Sequence, residues 1–262
     1  MSQTTPPTAP SAPAAELVHY AVDGVVATIT LDSPHNRNAL SRQLVTELAE
    51  RLVRAEADDA VLVVRLEATG RVFCSGADLS EATDGGMEQG ARAIVDLQRT
   101  VVGLAKPVVV RVQGAVRAGG IGIVAACDVA ITAEPATFAL TEVKLGLAPA
   151  IISLTVLPRL TSRAAAYTFL TGETFDGAEA ARIGLVTRAV PAEELDDAVD
   201  AGCASLATGA PQGLRETKAL LARDLLARIE ADGDHLAELS ARLFGSEAAR
   251  EAMQAFLSRP RP

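Results

Sequence analysis

Apolar and polar positions change period several times along this chain, and each change marks an element. Leu17–Val22 and Val25–Leu31 are rich in β-formers and flank Asp23–Gly24, which predicts a hairpin. Leu44, Leu48 and Leu52 then recur every fourth residue, a helix face that Ser41 can cap and that runs to about Ala57. Val61–Leu66 and Pro107–Val112 are short runs, apolar but for one arginine each, and predict buried strands. Between them "GRVFCSGADLS" predicts a turn, "EATDGGMEQG" a mobile loop, and Met87 to Leu104 a helix that stops before Pro107. A glycine-rich stretch with a short helix inside it precedes strands at Asp128–Thr132 and near Thr137–Leu140. From Ser153 the pattern is almost wholly helical, including Ala178–Ile183, Ala192–Leu206 and Pro211 to the end. Alternating strands and helices with a helical final third predict an α/β fold whose last third packs on the core or on another subunit.

Composition narrows what such a fold can do. The first fifteen residues, "MSQTTPPTAPSAPAA", read as a disordered tail and lack the basic and apolar segments of a signal peptide. The net charge of −9 opposes nucleic acid and anionic membranes, and with no Trp and two Tyr there is little surface on which bases could stack. No apolar run reaches membrane-spanning length. Three scattered cysteines (Cys74, Cys127, Cys203) form neither a disulfide framework nor a metal motif, and read as buried thiols of a cytoplasmic protein.

Candidate chemistry is sparse. The three histidines, His19, His35 and His235, have no nucleophile or metal-ligand pattern near them. "GIGIVA" (Gly120–Ala125) satisfies a loose dinucleotide fingerprint, but its helix is too short for a βαβ crossover and Glu134 comes too early to meet a ribose. What remains is a pair of glycine-containing turns, "CSGADLS" and "AGGIG", each following a buried strand. Each presents bare N–H groups at a strand-to-helix transition, and two converging N–H groups make an oxyanion hole.

Several motifs in order carry a resemblance. "NRNALS" (Asn36–Ser41), "FCSGADLSE" (Phe73–Glu81), "KPVVVRVQGAVRAGGIGIVAACDVAI" (Lys106–Ile131), "FALTEVKLGLAPA" (Phe138–Ala150), "FLTGETFDGAEAARIGLVTRAVP" (Phe169–Pro191) and "AFLSRPRP" at the end resemble the crotonase, or enoyl-CoA hydratase/isomerase, superfamily. The likeness runs from about Glu16 to Pro262. It implies a crotonase-type spiral of ββα units over residues 16–195 and a helical C-terminal oligomerisation region over 196–262. It implies homotrimers or hexamers, an acyl-CoA thioester as substrate, and no cofactor or metal. By position it implies Ala77 and Gly119 as the oxyanion N–H donors. Arg37, Asn38, Ala39, Asp78, Leu79 and Ser80 fall on the implied CoA path, with Asp78 a capping group rather than a catalyst.

This chain also departs from the family pattern. Two-glutamate hydratases carry acids at positions that fall, in this register, on Gly122 and Glu142. Only Glu142 is present, bordered by apolar residues that would raise its pKa. A second departure, "APAIIS" (Ala148–Ser153), puts Ile151 and Ile152 where glycines are common. Bacterial methylglutaconyl- or isohexenylglutaconyl-CoA hydratase-like members read GGxG at the first of these acid positions with a following "TEVxLGLxPA", a look this chain shares, and Arg117 could meet the second carboxylate of such substrates or could face solvent. The resemblance therefore implies a hydratase that uses one glutamate. A Δ3–Δ2 enoyl-CoA isomerase, which needs one base, is the alternative, and a noncatalytic acyl-CoA-binding protein is the alternative of another class.

Overall fold

The computed structural model describes residues 15–81 and 86–258. The expected tail over 1–14, residues 82–85 of the expected mobile loop and the last four residues lie outside that range. The chain opens with the antiparallel pair β1 (Val18–Asp23) and β2 (Val26–Leu31), as the hairpin signal predicts. Helix α1 (Arg42–Ala57) follows, with Ser41 Oγ accepting the Leu44 N–H at 3.3 Å and with Leu44, Leu48 and Leu52 buried.

Next, a long strand, a very short strand and a helical segment recur three times. The first unit is β3 (Val63–Ala68), β4 (Val72–Cys74) and α2 (Gly86–Gly103). The second is β5 (Val108–Val112), β6 (Ala115–Arg117) and α3 (Gly119–Ala126). The third is β7 (Val129–Ala133), β8 (Thr137–Ala139) and a 3-10 turn over Thr141–Leu145. The rest of the chain supplies α4 (Ser153–Val156), α5 (Ser162–Thr171), β9 (Phe175–Asp176), α6 (Gly177–Arg182), β10 (Arg188–Val190), α7 (Leu195–Ala207), α8 (Pro211–Phe244) and α9 (Glu247–Leu257). The long strands join a six-stranded sheet in the order β1-β2-β3-β5-β7-β10, and the short ones a four-stranded sheet in the order β4-β6-β8-β9. Strands β4 and β6 lie where the residue pattern predicts only turns, and β9 and β10 interrupt the stretch expected to be helical. Runs of two or three residues are too short to display a period of two. The helix expected from Pro211 to the end is two helices, broken at Gly245 and Ser246.

Helix α7 packs across β3, β5 and β7, where Arg65 Nη1 reaches Asp200 at 2.7 Å and Arg111 Nε reaches Asp196 at 2.5 Å. Helix α8 lies along α2. Its inner anchor is Lys218, 4% exposed, whose ammonium donates to the Val101 carbonyl at 3.1 Å and the Lys106 carbonyl at 2.9 Å and pairs with Asp128 at 2.8 Å. Asp128 in turn accepts the Val108 N–H at 2.7 Å, so one ion pair joins the α8 anchor to the edge where β5 and β7 begin. Removing one partner strands the other charge and two carbonyls without a donor. Lys218→Met is therefore expected to destabilise the protein by about 3 kcal/mol, the lower end of the buried-pair range. Urea unfolding against wild type checks it.

Candidate active site

Strands β4, β6 and β8 are parallel neighbours, with Cys74 opposite Val116 and Val116 opposite Phe138. Their carboxyl ends therefore emerge side by side, the usual location of sites on parallel sheets. Ala77 follows β4 closely, Gly119 follows β6, and Glu142 follows β8. The alternation of strands between two sheets thus delivers both expected oxyanion donors and the expected acid to one edge.

The first two turns meet backbone to backbone. Gly76 has φ +93°, and a Cβ on it would lie 2.9 Å from Ala118 Cβ and 3.7 Å from Gly119 N. A Cβ on Gly119 would lie 3.9 Å from Ala77 N and only 2.8 Å from Leu40 Cδ1. Between them Ala118 holds φ 44° and ψ −121°, a conformation that costs a residue with a side chain on the order of 1–3 kcal/mol. That strain turns the chain abruptly into α3, whose first N–H, on Gly119, has no partner inside the helix. Among the described residues neither the Ala77 nor the Gly119 N–H finds an acceptor. The loop ahead of α1 braces this turn: Leu40 N donates to the Gly76 carbonyl at 2.8 Å and Ser75 N to the Arg37 carbonyl at 3.1 Å.

Glu142 sits in the 3-10 turn that Gly146 closes at φ 70°. The residue as a whole is only partly covered, but its Oε2 is buried and has no hydrogen-bond partner. Burial pushes the carboxyl pKa up to about 7, against a smaller lowering from a hydrogen bond with its own N–H. No charged neighbour contributes to the shift. Lys144 is exposed, its stem close to Gly172 at the end of α5.

A cavity of about 220 Å³ opens beside the first turn, lined among others by Leu40, Val45, Ala77, Ile94, Ile151 and Phe244. It reaches Ala77 but stops short of Gly119 and Glu142. The tips of Leu40 and Ile94 stand between, within 2.8 and 3.9 Å of where a Gly119 Cβ would lie. Two free N–H groups, a lone neutralisable carboxyl and an adjoining apolar cavity suit a carbonyl compound with a hydrocarbon arm.

The sequence matches the model of the enoyl-CoA hydratase/isomerase family over residues 22–262. The chain belongs to that family. It is similar to the crystal structure of an enoyl-CoA hydratase from Mycobacterium avium, with 48% identity, a TM-score of 0.88 and coverage of 94% of this chain and 98% of the other. It is 32% identical to the hydroxycinnamoyl-CoA hydratase-lyase of Pseudomonas fluorescens, over 92% of this chain and 91% of that protein. It is 29% identical to the peroxisomal Delta(3,5)-Delta(2,4)-dienoyl-CoA isomerase of Arabidopsis thaliana, over 94% and 95% respectively. The architecture is the crotonase fold of these neighbours.

Within this hydratase/isomerase frame the residues of the expected CoA path take different parts. Arg37 is exposed in left-handed backbone (φ 62°), and Ala39 is buried. Asn38 is wholly buried, accepting the Ser33 N–H at 2.7 Å and donating to the Thr69 and Val72 carbonyls at 3.1 and 2.8 Å, which makes it a clamp and leaves it nothing for CoA. Asp78 accepts from Ser80 Oγ at 2.7 Å, Ser80 N at 3.0 Å and Asn36 Nδ2 at 3.1 Å, and these bonds, the Ser80 hydroxyl foremost, hold its pKa below the usual carboxylate range. It caps the 3-10 turn Leu79–Glu81. Arg117 is anchored to the neighbouring strand. Half-buried, it donates to the Val116 carbonyl at 2.9 Å and to the Thr137 carbonyl and hydroxyl at 2.6 and 3.0 Å.

The glycines of α3 divide their roles. Gly120 makes room for Cys74, whose Cβ and Sγ would lie 2.7 and 2.9 Å from an added Cβ, so it serves packing rather than the oxyanion. Cys74 is itself inert, burial pushing its thiol up to about 12. At Gly122, where the resemblance to two-glutamate hydratases would place the first acid, the space is taken: an added Cβ would meet Ile152 Cγ2 at 2.8 Å and Gln98 Oε1 at 3.2 Å. Of the two isoleucines of "APAIIS", Ile151 lines the cavity and Ile152 packs on α3. Gln98 and Thr155 escape a reading of the sequence. Their one signal is a polar residue on the apolar face of α2. Among the described residues no cluster of His, Cys, Asp or Glu could hold a metal ion.

The raised carboxyl of Glu142 links stability to pH. Below its ordinary value of 4.5 folded and unfolded chains are both protonated, and the buried neutral acid costs nothing extra. Between 4.5 and about 7 the unfolded state releases a proton that the folded state keeps, so stability falls as pH rises and levels off above that window. At about 1.4 kcal/mol per unit the loss is about 3 kcal/mol. Glu142→Gln is expected to escape it, gaining about that much over wild type at pH 8 and converging with it near pH 4.5 in chemical-denaturation curves.

Proposed function

We propose that this chain is an enoyl-CoA hydratase that works with one carboxyl group. Ala77 and Gly119 N–H groups hold the thioester oxygen, where negative charge gathers as an enolate forms. The protonated Oε2 of Glu142 gives its proton to the α-carbon while a water oxygen bonds to the β-carbon. The released water proton then restores the acid, so one water is added and the enzyme is unchanged. The observation that carries this reading is the buried, unpartnered Oε2 of Glu142, whose turn follows β8 at the same sheet edge as two unsatisfied N–H donors. The relatives named hydratases support the direction of the reaction.

The expected residues of the CoA path, Arg37, Ala39, Asp78, Leu79 and Ser80, flank that oxygen site in sequence, and Arg37 and Ser80 are exposed. No resident cofactor takes part. Tyr167 and Leu170 on α5 and Leu220 and Leu221 on α8 are 59% to 77% exposed, apolar groups that favour association of copies through the C-terminal helices as a homotrimer or hexamer. Three buried, unpaired thiols accord with the cytoplasm.

One observation favours Δ3–Δ2 isomerisation as a second reading. Opposite Gly122 stands hydrocarbon, and the Gln98 side chain beside it is already hydrogen-bonded to Ile151 and Thr155, so no second carboxyl stands there to hold a water. An isomerase needs only Glu142 to carry one proton between two carbons.

Enoyl-CoA esters unsaturated at either position, analysed by mass, separate the readings. Gain of one water marks the hydratase, migration of the double bond at constant mass the isomerase, and binding without conversion a noncatalytic binder. Hydration uses the acid form of Glu142 and should fall as pH rises through about 7, whereas isomerisation uses the carboxylate and should rise. Glu142→Gln should lower turnover by about 10²–10⁴-fold and leave ester binding intact. Unchanged turnover would remove Glu142 from the mechanism.

A further inference from the structure

Gln98 of α2 and Thr155 of α4 are both fully buried, and neither belongs to the chemistry described above. Gln98 Nε2 donates to the Ile151 carbonyl at 3.2 Å and, more weakly, to the Ile94 carbonyl at 3.4 Å. Thr155 Oγ1 lies 2.7 Å from Gln98 Oε1 and 2.9 Å from the Gly122 carbonyl. The amide can stand only one way round, because turning it over would aim its oxygen at two carbonyls. With that orientation fixed, Thr155 has one hydrogen to share among the Gln98 oxygen, the Gly122 carbonyl and, more weakly, the Ile152 carbonyl at 3.4 Å. Four backbone segments therefore meet at one buried polar node: α2, α3, α4 and the turn before α4.

The residues whose carbonyls it grips decide what the node can do. Ile94 and Ile151 both line the cavity beside Ala77. Gly122 lies on the short helix α3 that begins with the oxyanion donor Gly119. The node thus fixes the spacing between the cavity wall and the helix that presents one oxyanion N–H. Such a network is costly to place in a core and rigid once satisfied. A purely apolar contact would have packed α2 on α4 without fixing these carbonyls.

We propose that Gln98 and Thr155 are positioning residues that set the acyl-chain selectivity of the site, by holding the Ile94–Ile151 wall at a fixed distance from the oxyanion helix. Neither touches substrate; both act through the wall. The inference rests on the acyl-CoA reading above and uses that reading's cavity as the place of the acyl arm.

The test compares wild type with Thr155→Val, which keeps the shape and removes the hydroxyl, and with Thr155→Ser, which keeps the hydroxyl. Two measurements are made: the ratio of kcat/KM for octenoyl-CoA over butenoyl-CoA, and the calorimetric Kd values of the saturated octanoyl and butanoyl esters. Thr155→Val is expected to slacken the wall and raise the long-over-short ratio about fivefold, through KM and Kd rather than kcat, while Thr155→Ser stays within about twofold of wild type. Gln98→Met, similar in length and without the amide, carries the same expectation should Thr155→Val fail to fold. A variant that lowers the melting temperature and both substrates alike, leaving the ratio unchanged, overturns the inference and leaves the acyl-CoA reading standing. Wild-type protein that binds neither ester overturns the acyl-CoA reading, and the inference with it.

Discussion

The parallel pairing of β4, β6 and β8 is the constraint on which the site depends. Each strand is only three residues long, yet their register brings three turns from separate repeats to a single edge. A one-residue slip would carry Ala77 or Gly119 out of line and turn every side chain of the slipped strand to the other face. The apolar side chains of Phe73, Val116 and Phe138, all fully buried, resist that slip. Arg117 adds to this, spending its guanidinium on the Thr137 backbone and hydroxyl of the neighbouring strand. Core packing, not any contact with a ligand, therefore determines where the Ala77 and Gly119 N–H groups stand.

Two local costs are concentrated at that edge. Ala118 is held in strained backbone, and Glu142 keeps an unpaired oxygen in a dry place. Neither helps the chain fold. Both are useful to a reaction: the strain lifts the Gly119 N–H clear of other acceptors, and the dry setting keeps the acid able to hold or release a proton near neutrality. The ion pair of Lys218 with Asp128 and the packing of α8 on α2 supply stability elsewhere, away from the reacting groups.

Much of the fold was legible from periodicity, because its long elements bury one face cleanly. The Leu44–Leu48–Leu52 stripe and the Ser41 cap are examples where local chemistry alone decides the structure. The short strands β4 and β6 were not legible, since their identity comes from neighbours more than twenty residues away. In the site, glycine-rich turns at strand ends pointed to N–H donors, but assigning Ala77, Gly119 and Glu142 took the ordered motifs of the family. The Asn38 clamp and the Arg117 anchor show the limit of that transfer. Position in a motif said where these residues stand, while their hydrogen bonds to Thr69, Val72 and Thr137 show what they do. The node of Gln98 and Thr155 joins residues far apart in the chain, and no local pattern announces it.

The departures at Gly122 and in "APAIIS" are one change seen from two sides. No side chain fits at 122 while Ile152 stands 2.8 Å from where its Cβ would be, and Ile152 can stand there only because 122 is glycine. The exchange removes an acid and fills its place with hydrocarbon, which alters the acid that remains. With two carboxyls in one pocket, mutual repulsion would split their titrations, and neither pKa would belong to one residue. With one, burial alone raises the pKa, as the absence of any charged contributor to Glu142 shows. Burial therefore holds the Glu142 carboxyl, raised to about 7, with no charged partner, and how dry that one oxygen is kept decides which form it takes near neutrality.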